Sequence, residues 1–132
     1  MTAVWLYLVS VVIFLGLDAI GLPLIVKPVF DRYVGDMLRD QIAYVPALIF
    51  YLFYIAGLVW FVSWPALREG TILQAGLNGA FFGAVAYGTY EFTNYATLKG
   101  WSPAMVATDL IWGTAITAIA AMSGVAIIRA FA

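Results

Sequence analysis

Residues 3–26 read AVWLYLVSVVIFLGLDAIGLPLIV, an apolar run broken by a single charged side chain, Asp18. A helix that crosses a bilayer needs about 20 mostly apolar residues, and this run supplies them. Its apolar residues are continuous and not alternating, which predicts a helix and argues against a strand of an outer-membrane barrel. Working outward from it, three further runs have the same character, at about 43–64, 72–95 and 103–128. The expected fold is therefore all-α: a polytopic membrane protein, a four-transmembrane-helix bundle forming one domain over residues 1–132. Composition points the same way. The chain is 65% hydrophobic and 10% charged, whereas a soluble domain is about 45–50% apolar and about 25% charged.

Two absences narrow the chemistry. The chain has neither Cys nor His. Disulfides, thiolate nucleophiles, iron–sulfur clusters, His-ligated haem, ordinary zinc sites and His-based triads are thereby excluded. The net charge is −1 and no basic patch exists to hold a polyanion, so nucleic acid is not an expected partner. No phosphate-cradling loop or nucleotide fingerprint occurs, and no cofactor is expected.

Lysines and arginines orient the spans. Lys27, Arg32, Arg39 and Lys99 fall between spans one and two and between spans three and four, against Arg68 and Arg129 on the other side. The expectation is an inner (cytoplasmic) membrane protein with both termini outside. The opening segment has no Lys or Arg before its apolar run and carries Asp18, so it reads as a retained helix and not a cleaved signal. Between the first two spans, Val29, Phe30, Tyr33, Val34, Met37 and Leu38 recur at helical spacing, with Asp31, Arg32, Asp36, Arg39 and Asp40 in the gaps. That pattern predicts a short amphipathic helix lying in the membrane interface. Pro65 is expected to end the second span, and Pro23 to kink the first.

The third span is rich in small residues. Ala80, Ala84 and Gly88 recur every four positions beside the Gly79-x-x-x-Gly83 pair, so it is the expected central, closely packed helix, or alternatively a homodimer face. Trp5, Trp60, Trp64 and Trp101 lie near span ends and read as interfacial anchors. Trp112 lies deeper, beside Asp109. Tyr51 and Tyr54 fit either a cavity wall or ordinary packing.

Three carboxylates interrupt the apolar runs: Asp18, Glu91 and Asp109. Each costs at least about 2.5–3.5 kcal/mol at the centre of a bilayer even on insertion scales. At 1.5 Å per residue they lie roughly 13, 7 and 9 Å from the same membrane boundary. Three helices thus present acid at one level, and Glu91 shares a face with Ala80, Ala84 and Gly88. Tyr87 and Asn94 flank Glu91 at helical spacing. Like charges held close in a low dielectric resist joint ionisation, so at least one of the acids is expected to carry its proton. Such a cluster can bind a cation, relay a proton or meet a polar head group. The alternative is a satisfied polar knot bonded to Asn94, Thr97, Tyr87 or backbone. The candidate ligand-binding or proton-handling residues are Asp18, Tyr87, Glu91, Asn94, Asp109 and Trp112. No catalytic residue and no metal ligand is singled out.

The stretch GTYEFTNYATLKGW over residues 88–101, followed by DLIWG at 109–113, resembles a bacterial family of four-span membrane proteins of unknown function. LDAI at 17–20, Lys27-Pro28 and FYLFYIAG at 50–57 are similar to its pattern as well. The likeness covers essentially the whole chain. The family usually shows Asp where Glu91 stands and often a Trp near Gly21. Its members are often encoded near lipid-modifying enzymes and photooxidative-stress genes, so the resemblance implies a role in membrane-lipid or isoprenoid metabolism. Three functional readings remain open. The first is handling of a membrane lipid or other hydrophobic small molecule, with an elongated cavity opening to lipid at the carboxylate level. The second is a small proton- or cation-coupled transporter, by architectural analogy with the small multidrug exporters. The third is a noncatalytic accessory subunit of a membrane complex.

Overall fold

A computed structural model describes residues 1–131, and all of their regular structure is helical. Four rods follow one another. The first joins α1 (Thr2–Gly21), a π turn (Leu22–Val26), α2 (Lys27–Val34) and a 3₁₀ turn (Gly35–Met37). The second joins α3 (Tyr44–Leu58), a π turn (Val59–Ser63) and α4 (Trp64–Glu69). The third and fourth are single helices, α5 (Ile72–Thr97) and α6 (Pro103–Phe131).

Two expectations need correction here. Pro65 does not end the second rod, which runs on to Glu69, and the amphipathic segment is not a separate helix but the tail of the first rod. One physical cause accounts for both. A proline lacks an amide and crowds the preceding turn; a π turn widens the helix there and lets it continue. Pro23 lies inside the first π turn and Pro65 just after the second, whose wider register bonds the Trp64 amide to the Val59 carbonyl. Neither proline breaks its rod.

The last two helices form an antiparallel hairpin, with firm ends. Thr71 and Gln74 make a capping box of two 3.0 Å bonds at the start of α5. Ser102 accepts from the Met105 amide at the start of α6, ahead of Pro103. The hairpin closes on the Gly76, Gly79 and Gly83 ridge, which is buried, while Ala80, Ala84 and Gly88 sit only at its margin. A methyl group at Gly83 would lie 2.8 Å from the Gly113 carbonyl and from Thr117. Contact this close requires that Gly83 have no side chain. The small-residue face is therefore occupied within the chain by α6.

Helix α1 packs antiparallel across α6, with Ser10 against Gly124 and Gly21 against Trp112. Phe14 meets Tyr51 and Tyr54 of α3, each at 5.6 Å between ring centroids. Leu6, Phe14, Ile55, Leu58, Ile116 and Val125 are fully buried in the resulting core. Arg129 ties the far end of α6 to the second rod by donating to the carbonyls of Ala66, Leu67 and Gly70. Outside, bulky apolar side chains such as Phe53, Trp60 and Phe81 are each more than 70% exposed, which suits hydrocarbon and not water. By length and composition, three rods can cross a membrane: Thr2–Met37, Tyr44–Glu69 and Pro103–Phe131. Helix α5 has 26 residues and the length to do so, but it is more polar, carrying Gln74, Asn78, Glu91 and Asn94.

Replacing Gly83 with Ala should force α5 from α6 and destabilise the protein by about 1–3 kcal/mol, as overpacking usually does. Gly16→Ala adds a methyl that meets nothing within 4 Å, so it should leave the melting temperature in detergent unchanged or raised. Thermal unfolding of the two variants checks the pair.

Candidate functional site

The three carboxylates lie inside the bundle. Asp18 is 3% exposed, Glu91 0% and Asp109 7%. Each helix puts its acid inward because of what precedes it on the same stripe: Leu6, Ser10 and Phe14 lead to Asp18 on α1, and Met105 and Val106 lead to Asp109 on α6. On α5, Glu91 is buried on the stripe of Ala80, Ala84 and Gly88, at the margin of the glycine ridge.

The carboxyls of Glu91 and Asp109 face each other. Asp18 accepts a 3.1 Å bond at Oδ1 from the Trp112 indole N–H, has the Tyr51 hydroxyl beside it, and lies near enough to Asp109 for the two charges to interact. Among the described residues no three ligating side chains are gathered tightly enough to hold a metal ion.

No cation meets these acids. The one ion pair among the described residues is Lys27 with Asp31, at 2.8 Å on the exposed surface of α2. Arg129 is committed to carbonyls at the far end, and Arg68 lies over Trp64 at 5.6 Å. Neutral donors serve instead. Besides Trp112, the Trp101 indole donates to Glu91 Oε1 at 3.0 Å. Glu91 Oε2 is buried with no donor at all.

Trp101 was expected to be an interfacial anchor; it is instead a partner of a buried acid. It was missed because it lies ten residues from Glu91, beyond the end of α5. The signal that could have revealed it is Gly100, whose φ of +83° reverses the chain and returns the next side chain to the bundle. Tyr51 was missed as a specific neighbour of Asp18, since apolar rows of aromatics do not say which hydroxyl turns inward.

The other candidates take varied places. Tyr87 lies over Gly113 and edge-on to Tyr54 at 6.2 Å. Tyr54 hydrogen-bonds Thr117 at 3.0 Å. Asn94 is half-buried, with its side chain toward Tyr90 and no bond to a carboxylate. Thr97 spends its hydroxyl on the Thr93 carbonyl. Gly21 receives the Trp112 ring, since a Cβ there would fall 2.0 Å from it. The Trp that the family often shows near Gly21 is missing from this chain, and the ring beside Gly21 comes from α6.

Aromatic rings crowd the carboxylate level. Two open hollows lie elsewhere, one of about 330 Å³ beside Arg32, Asp36 and Lys99, the other of about 250 Å³ beside Glu69, Gln74 and Asn78.

Fold and site together define a helical membrane protein with buried acids paired to neutral donors. The chain belongs to the family described as Predicted membrane protein (DUF2177), which matches residues 3–126. Neither the curated proteins nor the solved structures gave a match.

Trp112→Phe removes the donor to Asp18 and should cost about 1–3 kcal/mol, the usual penalty for an unsatisfied buried acceptor. Trp60→Phe, on an exposed ring, should cost little. Melting temperatures of the two variants, measured side by side, test whether the indole bond or simple ring loss is responsible.

Proposed function

We propose that the protein crosses the inner membrane four times, α5 included, with both termini outside, and that its carboxyl cluster receives the polar end of a membrane-soluble ligand, in keeping with a role in lipid metabolism. One observation carries this reading. Glu91 and Asp109 are acidic groups that face each other, and no N–H or O–H of another residue is bonded between them. Two facing acceptors are joined only by something that brings hydrogen. A ligand whose polar end carries a hydroxyl or an amine supplies it, while the aromatic side chains around the site hold its apolar body.

Asp18 and Trp112 serve in this reading as the wall behind the pair. Tyr87 and Asn94 border it at the levels above and below Glu91. The span assignment for α5 is supported by its 26-residue length and by its polar residues being carried on a helix flanked by three apolar rods. Four such traverses leave Lys27, Arg32, Arg39 and Lys99 on one side, in accord with the positive-inside tendency.

A second reading draws on the same gap. If a proton alone joins the two carboxyls, the protein is a proton-handling element of a small transporter. The close packing of rings around the carboxyls weighs toward that alternative; the aromatic lining and the lipid-facing exterior weigh toward the first.

The test compares the lipids and metabolites of a deletion strain, complemented either by the wild-type chain or by Glu91→Gln. The expected outcome is that Glu91→Gln matches the deletion and differs from wild type. Wild-type behaviour of Glu91→Gln, with normal protein levels, removes the site. A pH-dependent flux lost in Asp18→Asn but without any lipid change would favour the transporter.

A further inference from the structure

We propose that Trp101 is a displaceable plug over Glu91, and that the group which replaces it is the ammonium head of a single-chain amphiphile. This rests on the ligand-handling reading above and adds an entrance and a ligand charge to it.

The plug is held lightly. Trp101 belongs to no helix; it sits in the connection between α5, which ends at Thr97, and α6, which starts at Pro103. It makes one side-chain hydrogen bond, to Glu91 Oε1, and two edge-on ring pairs, with Phe30 at 5.3 Å and Tyr90 at 6.0 Å. Swinging it away breaks no helical bond. The neighbouring Gly100 sits at φ +83°, a region that only glycine occupies freely, so the hinge lies beside the plug. Trp101 is itself partly exposed, whereas Glu91 behind it is sealed.

What lies behind the plug selects the ligand. Glu91 is wholly buried, with Oε2 unpartnered and turned toward the Asp109 carboxyl. Removal of the indole frees Oε1 as well. The opening then presents two carboxyls with no cation beside them. A phosphate head meets only like charge there. A hydroxyl brings one hydrogen; a primary ammonium brings three, together with the charge that the pair lacks. Phe92 and Tyr95, three positions apart on α5 and each about half-exposed, offer apolar surface to the alkyl chain.

The test uses the purified full chain in a nonionic detergent, with dodecylamine, dodecanol and dodecyl phosphate as probes. Indole ¹H–¹⁵N resonances of the wild-type protein report on Trp101, identified by its loss in Trp101→Phe. Dodecylamine should move that resonance and raise the melting temperature, and dodecyl phosphate should do neither. Trp101→Phe no longer has an indole bond to break and should bind dodecylamine about tenfold more tightly. Glu91→Gln should lose the effect. Dodecylamine that binds without moving the Trp101 resonance, or that binds Glu91→Gln as well as wild type, overturns the plug. Dodecanol binding as tightly as dodecylamine, with both lost in Glu91→Gln, overturns the ammonium preference and leaves the ligand-handling reading standing. Failure of all three probes to bind either wild type or Trp101→Phe also overturns the proposal; the strain comparison above then decides separately whether Glu91 matters to the cell.

Discussion

Two indole N–H groups stand where a buried acid would ordinarily find a cation. Trp112 donates to Asp18 and Trp101 to Glu91, while every basic side chain lies at a rod end or on the surface. Burying an ionised carboxyl without compensation is far more expensive than burying a hydrogen-bonded one. The arrangement of the bundle around the acids follows from that constraint. An indole is long and rigid, so each donor needs room beside its acceptor. Gly21 provides it for Trp112, and the Gly100 turn brings Trp101 back over the end of α5.

The same need for close approach governs the hairpin. Because Gly83 lets α5 rest on the α6 backbone, Glu91, two turns further along α5, is brought opposite Asp109. Had the helices met through larger side chains, the two carboxyls would stand apart and each would need its own donor. Helix packing in lipid has little hydrophobic drive and depends on such fit. Here the fit also sets the electrostatics: it leaves two acceptors in contact and one oxygen, Glu91 Oε2, without a partner.

The helical rods were readable from residues 3–26 and their three counterparts, because continuous apolar runs have one structural solution in a bilayer. The burial of Asp18, Glu91 and Asp109 followed from their place in those runs. Other features were not readable. Pro65 looks like a stop, and only tertiary packing shows that a π turn carries the helix past it. The Ala80–Ala84–Gly88 stripe and the Gly79–Gly83 ridge are adjacent on one helix, and which of them meets α6 depends on a rotation of about 100° that spacing does not resolve. Trp101 was misread as an anchor since its position at a span end is where anchors occur; its role depends on the backbone direction at Gly100.

Everything functional in this account depends on Glu91 and Asp109 lying together inside the bundle. The chain contains no cysteine, so a double variant carrying Glu91→Cys and Asp109→Cys has only those two thiols. In isolated membranes, a short bifunctional thiol reagent that partitions into lipid should join them within one chain, while a membrane-impermeant maleimide should label neither. A Lys99→Cys control should label readily from its exposed side. Rapid maleimide labelling at position 91 or 109, with no cross-link formed between them, would contradict the account.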